Sequence, residues 1–309
     1  MASGRDPASI TGLATLVTAD AVRTILRSYL AASDNRPSAF LRGLAITLVS
    51  LAAHWVRVDQ EQLEALRTIK RKLGSTQVTM TEKNRATLRQ IEDPAVLLRL
   101  LELPGQLAGE ARQMQSGPQA AVRMQLAVAI ALLLSAPMRM ANLHALRLDR
   151  HLNRLGGAKG PWLISIPATE SKNGEPLDYE IARDGADLLD RYLKRFRPGL
   201  VTGDCPFLFP GEDGLRCKDQ GTLSQQVVLM VESRIGIRVT PHQFRHLAAR
   251  LLLLAAPGAL SAVQQLLGHK HLKTTIGFYA GIDTLTAGRQ YDQILQATHT
   301  ALQRPRPRP

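Results

Sequence analysis

Thr240-Pro241-His242-Gln243-Phe244-Arg245-His246, followed by Leu267-Gly268-His269 and then Tyr279, is the stretch that decides how the rest of the chain is read. Threonine before proline, with glutamine three residues after the threonine, is a helix start: a capping side chain, a ring that pre-sets φ and a reciprocal bond back to the cap. On a helix opened there His242 and Arg245 lie three apart and His246 four beyond His242, so they share one face near its start. Ala249 and Leu252 continue down neighbouring rows. Ser261 and Gln264 repeat the capping spacing, and Gly268 is a helix stop that aims His269 from the loop behind it. Alone, an H-x-x-R-H set more often caps or lines an ordinary helix. A Leu-Gly-His motif and a tyrosine at this separation make a functional cluster the better reading.

Outward from that stretch the second part of the chain mixes states. Pro118 to Leu134 is strongly apolar with proline at its first position, which predicts a helix buried nearly all round. After the break at Pro137, Met138 to Leu146 forms another helix. Arg139 is thus wedged between apolar segments, an expensive place for a guanidinium without an anion; a bridge to Asp149 is the plain alternative. Trp162–Ile166 and Leu177–Ile181 read as strands, and Ser171-Lys172-Asn173-Gly174 between them as a hairpin turn. A lysine such as Lys172 in a turn is ordinarily just solvated. Asp184 to Arg197 returns to helix. The first ninety residues read as helical throughout: Ala21 to Ala31, Phe40 to Val56 and Gln60 to Lys72, the last ending in the basic run Lys70-Arg71-Lys72 and a Gly74 stop. A polar, turn-prone segment follows, and a short helix opens at Thr81 and Glu82, so the domain boundary is placed near Glu92.

Composition bounds the function. The chain of 309 residues has a net charge of +13 and a pI near 10.3. Through Glu92 it carries 13 Lys+Arg against 8 Asp+Glu, and beyond it 26 against 18, giving +5 and +8. Basic charge on both parts fits a polyanion contacted by both, because each cation set on a phosphate releases counterions. The start of the chain lacks a long apolar run of the secretory kind. The apolar runs Leu126 to Leu134 and Leu251 to Ala256 fall short of the roughly 20 residues a spanning helix needs. Two cysteines, Cys205 and Cys217, support neither a zinc site nor a disulfide scaffold. A cytoplasmic protein is expected, with no membrane partner.

The chemistry these residues can support is attack of a phenol on a phosphodiester. The five-coordinate species carries extra charge on two non-bridging oxygens, and two guanidiniums match those oxygens without a metal. A histidine can take the tyrosine proton or hold an oxygen, and a lysine near the leaving 5′ oxygen can supply one. The sequence offers no acidic cluster suited to two-metal nuclease chemistry.

From about Asp93 to Thr298, two thirds of the chain, the sequence resembles the catalytic domain of the tyrosine recombinases, the phage-integrase and Xer-like family. The resemblance makes Arg139 the first arginine, Lys172 the hairpin lysine, His242 and Arg245 the H-x-x-R pair, His269 the following histidine and Tyr279 the nucleophile. Three departures are visible. Asn142 stands where a glutamate is often found, Gln243-Phe244 lies between His242 and Arg245 where the family commonly has a leucine before the arginine, and Tyr279 lies ten residues after His269 where many members have nine. The resemblance implies a mainly α fold with a small antiparallel β-sheet (α+β): a helical DNA-clamping domain over 1–92, a catalytic domain over 93–300 and a basic Pro/Arg tail over 301–309. It also implies site-specific cutting and rejoining of double-stranded DNA through a 3′-phosphotyrosyl link, with no metal, cofactor or ATP. The expected partners are a homotetramer on DNA, with the helix from Thr284 to Thr298 docking on a neighbour, and accessory DNA-bending proteins. A type IB topoisomerase-like enzyme and a non-catalytic DNA-binding relative are the alternatives.

Overall fold

Eighteen residues of apolar helix set the architecture of the larger part of the molecule. The structure, a computed structural model, describes residues 10–74, 80–114, 117–157, 160–256 and 258–272, with 275–276, 288, 291–292 and 294–296. It divides into two compact units, 1–78 and 79–309.

In the first unit α1 (Leu13–Leu16), α2 (Ala19–Ala31), α3 (Ala39–Leu51) and α4 (Gln60–Lys72) enclose a small core. A single turn of wider π geometry, Ala52–Val56, prolongs α3. Val22 and Leu26 of α2, Leu41, Ala45 and Leu48 of α3, and Leu63 and Leu66 of α4 are spaced three or four apart, so each helix turns one stripe inward. Thr18, Ser38 and Asp59 cap the starts, each accepting from a backbone N–H three residues on.

The second unit is built on α7 (Pro118–Ser135). Eleven of its residues are buried, among them Met124, Leu126, Ile130, Leu132 and Leu133. Neighbours cover it on all sides: α6 (Pro94–Gln113), α9 (Arg183–Arg191), α10 (Gln220–Ile235), α11 (Pro241–Ala255) and β3 (Leu177–Ile181). Each Leu or Ile buried this fully contributes roughly 1.5–3 kcal/mol, so α7 contributes substantially to the unit's stability. By length and composition α7 and the stretch Ala39–Val56 are each apolar enough to cross a membrane, which unbroken apolar runs alone do not reveal. Here the α7 stretch is mostly buried inside its own unit.

The three-stranded antiparallel sheet runs in the order β1 (Leu152–Arg154), β2 (Trp162–Ile166), β3, with Ile164 opposite both Leu152 and Tyr179. A mainly α fold with a small antiparallel sheet is what the sequence predicted, and β2 and β3 have the predicted bounds. The strand β1 and the helices α6 and α10 had no signal singled out for them. The helix α5 (Glu82–Ile91) lies before the expected boundary at Glu92 yet belongs to the second unit. Leu88 and Ile91 enter its core, and Arg250 of α11 grips the Glu92 carboxylate at 2.7 and 3.3 Å. The expected C-terminal helix over 284–298 falls largely outside the described residues, and the basic tail wholly so.

Candidate active site

Arg139 enters from the end of α7. The chain breaks at Pro137, and Arg139, in extended conformation, becomes the N-terminal flank of the short helix α8 (Met140–His144). Asp149, its plain alternative partner, is taken by Arg147 at 3.0 and 2.6 Å. The Nη1 of Arg139 is buried and has no hydrogen-bond partner among the described residues. Burial pushes this guanidinium below its ordinary pKa, with the Tyr179 hydroxyl acting the other way. A half-buried cation with an unused donor is a receptor for an anion.

Arg245 is delivered by α11, which starts as the sequence predicted. Pro241 occupies the first helical position, and the Gln243 amide oxygen accepts from Thr240 N–H at 2.6 Å. Arg245 is buried; its Nη1 donates to the Pro137 carbonyl and its Nη2 to the Leu267 carbonyl at 2.6 Å. One guanidinium therefore ties the segment before Arg139 to the segment before His269.

The helix α12 (Leu260–Leu267) ends in Gly268, which adopts φ 56°, the left-handed conformation that lets the chain turn sharply. The last carbonyls of a helix have no partner within it. Here the last two carbonyls of α12 and the two that follow the helix each accept from a side chain: Leu266 from the Tyr179 hydroxyl (3.0 Å), Leu267 from Arg245, Gly268 from the Asn173 amide (2.6 Å) and His269 from the Gln264 amide (3.0 Å). Gln264 was expected in a capping box with Ser261. Instead the helix begins two residues earlier, after Ala259, with no side-chain cap, and Gln264 serves the opposite end. The His269 ring shares a 2.9 Å hydrogen bond from Nδ1 with Thr275 Oγ1, and that hydroxyl is buried.

Lys172 is exposed on the turn between β2 and β3. The turn is held at both ends: the buried Asn142 donates its amide to the Glu170 carbonyl at 3.2 Å, and Asn173 reaches Gly268. The departure at Asn142 thus replaces a carboxylate with an amide that fastens the lysine-bearing segment to α8. The structure brings Arg139, His242, Arg245 and His269 into one electrostatic neighbourhood and sets the Lys172 turn against it; Tyr279 lies outside the described residues.

The histidines report that neighbourhood. Desolvation first, then the charges of Arg245 and Arg139, lowers the pKa of His242, and the same causes push His269 down to about 4. His246, buried and packed edge-on against His242 at 4.5 Å between ring centres, is also held at about 4, chiefly by desolvation. All three are neutral near pH 7. For His246 and His269 the unfolded chain binds protons below about 6.5 that the folded chain refuses until about 4. Stability is therefore expected to be level above about pH 6.5 and to fall between about 6.5 and 4. A thermal-unfolding series across that window measures this, and His269→Asn should make the slope shallower; an equal slope in that variant contradicts a neutral His269.

The sequence missed Tyr179, Asn173, Gln264 and Thr275 as site residues. Tyr179 read as an ordinary strand tyrosine, and nothing in local spacing announces which carbonyl a side chain will reach.

The helical second unit thus gathers two arginines and two histidines beside a lysine-bearing hairpin. The phage integrase family matches residues 109–284, more than half of the sequence, and the chain belongs to that family. The tyrosine recombinase XerC of Chromohalobacter salexigens is 35% identical over 123 residues, 40% of this chain and 40% of that protein, so the chain spans less than half the length of that curated relative. Among solved structures, XerH site-specific recombinase bound to palindromic difH substrate, a post-cleavage complex, matches over 89% of this chain and 84% of its own at 15% identity, with a TM-score of 0.49. XerA recombinase matches over 93% and 92% at 16% identity, with a TM-score of 0.44.

Proposed function

We propose that this protein is a site-specific DNA recombinase that cuts and rejoins strands through a covalent phosphotyrosyl intermediate. The observation that supports this most is Arg139. Its unpartnered buried donor shares a cluster with a second buried arginine and two histidines held neutral, and a phosphodiester's paired non-bridging oxygens match that set.

The steps balance without an external energy source. The Tyr279 oxygen attacks phosphorus, and its proton passes to one of the neutral histidines, His242 or His269. Arg139 and Arg245 hold the non-bridging oxygens as charge grows on them. The bond from phosphorus to the 5′ oxygen breaks, its electron pair stays on that oxygen, and Lys172 gives the proton. The 3′-phosphotyrosyl link keeps the energy of the phosphodiester, so the 5′-hydroxyl of a partner strand reverses the step. The first unit supplies a second basic surface for the duplex, and four copies assemble on two sites, with the segment from Thr284 to Thr298 bridging neighbours. The protein works where the DNA is, in the cytoplasm at the nucleoid, alongside accessory DNA-bending proteins.

Covalent capture tests the reading whatever the target sequence is. The full chain is mixed with a random-sequence pool of nicked duplexes, denatured, and the protein-linked DNA recovered and sequenced. A single enriched motif joined through its 3′ end is the expected result. Capture of nothing overturns strand transfer, and capture with no sequence preference together with supercoil relaxation moves the activity to the topoisomerase class.

A further inference from the structure

Lys172 and Asn173 are the two central residues of a turn closed by Gly174 N–H on the Ser171 carbonyl at 3.0 Å. A lysine on an exposed turn keeps most of its rotamer freedom, so its aim depends on how firmly the backbone beneath it is held. Asn142 fixes the approach to the turn. The turn itself is fixed by Asn173, whose amide crosses 95 positions of sequence to the Gly268 carbonyl at 2.6 Å. Contact is close on the strand side too: a Cβ placed on Gly268 would lie 2.5 Å from Leu177 Cδ2, at the start of β3. Hairpin and Gly268 loop therefore meet at two points, and His269 is the next residue along.

We propose that Asn173 is a positioning residue for Lys172, its bond to Gly268 setting the lysine at a fixed place relative to His269. The inference rests on the reading of Lys172 as the group that protonates the leaving oxygen. A purely structural Asn173 would satisfy the Gly268 carbonyl and nothing more, and the two roles respond differently to the leaving group. A thiolate leaves without a proton, so replacing the bridging 5′ oxygen by sulfur removes the need for Lys172 and for whatever aims it, and leaves every other demand in place.

The test uses the full chain and a duplex recovered by covalent capture, made in oxygen and in 5′-bridging sulfur forms, with single-turnover adduct formation as the readout. Asn173→Asp keeps the shape and loses the donor; it is expected to slow the oxygen substrate about tenfold, the effect of losing one hydrogen bond that aims a reacting group. It should leave the half-saturating DNA concentration within about twofold and run near the unmodified rate on sulfur. Asn173→Gln, which keeps a donor, should recover part of the oxygen rate. The Lys172→Ala/Asn173→Asp double variant should be no slower than Lys172→Ala alone. Equal slowing on both substrates, or none, overturns the proposal and leaves Lys172 untouched. An unmodified chain that forms adducts while Lys172→Ala shows no preference for sulfur overturns the lysine reading, and this inference with it.

Discussion

Arg245→Ala is expected to lose both stability and strand cleavage, because one guanidinium does two things at once. It donates to the carbonyls of Pro137 and Leu267, in the buried interior where water cannot take its place. Each carbonyl left without a donor costs about 1–3 kcal/mol, enough to lower the unfolding temperature of the second unit measurably. The same group helps to lower the pKa values of His242, His246 and His269, which places its charge beside the histidines where the reacting phosphate is proposed to sit. Loss of one preorganised donor to developing oxyanion charge slows chemistry about 10²–10³-fold, and loss of the carbonyl ties should displace Arg139 and His269 as well. Arg245→Lys separates the parts. An ammonium keeps the charge but, as a point donor, cannot reproduce the fork that spans two carbonyls. It should recover some of the electrostatic effect while unfolding at a temperature between alanine and arginine. A lysine variant with the full adduct rate and full thermal stability contradicts the two-carbonyl role.

That double role also explains which parts of the site could be read from sequence. Helix starts and stops are local, so Pro241, Gly268 and the helix bearing His242 and Arg245 were legible from a few neighbouring residues. The alternation that gives β2 and β3 is local too. What joins these pieces is not. The Leu266, Leu267 and Gly268 carbonyls lack partners because a helix ends there, and any donor of suitable reach could satisfy them. That Tyr179, Arg245 and Asn173 do so depends on how β3, α11 and the hairpin turn pack around α12, over separations of up to 95 residues. The capping spacing of Ser261 and Gln264 misled for a related reason. An amide four residues from a helix end can serve either terminus, and here the unsatisfied His269 carbonyl held it. The boundary near Glu92 followed composition, whereas α5 follows its apolar face and the Arg250–Glu92 pair into the second unit.

Tyr279→Phe is expected to abolish the covalent adduct, a loss of more than about 1,000-fold, with folding unchanged. In the proposed mechanism the nucleophile is a phenol that can reach phosphorus and give up its proton, and the chain has five candidates. Tyr192 is fully buried, bonded to the Leu208 carbonyl and to Gln125, and desolvation drives its pKa up. Tyr179 is at the cluster but is also buried, donates to Leu266 and has its pKa raised by desolvation, so its proton is harder to remove. It supports the site and cannot serve as attacker without breaking the α12 cap. Tyr29 lies in the first unit, edge-on against Phe40. Two remain: Tyr279, which the family motif selects, and Tyr291, exposed at 63% and twelve residues further on. The spacing of ten after His269 makes this contest real, and peptide mapping of the DNA-linked chain settles it. Tyr291→Phe should keep the adduct rate within about twofold, the range of an exposed surface change. An adduct that survives Tyr279→Phe and disappears in Tyr291→Phe would transfer the nucleophile to the later tyrosine and require the segment between to carry it back to the arginines.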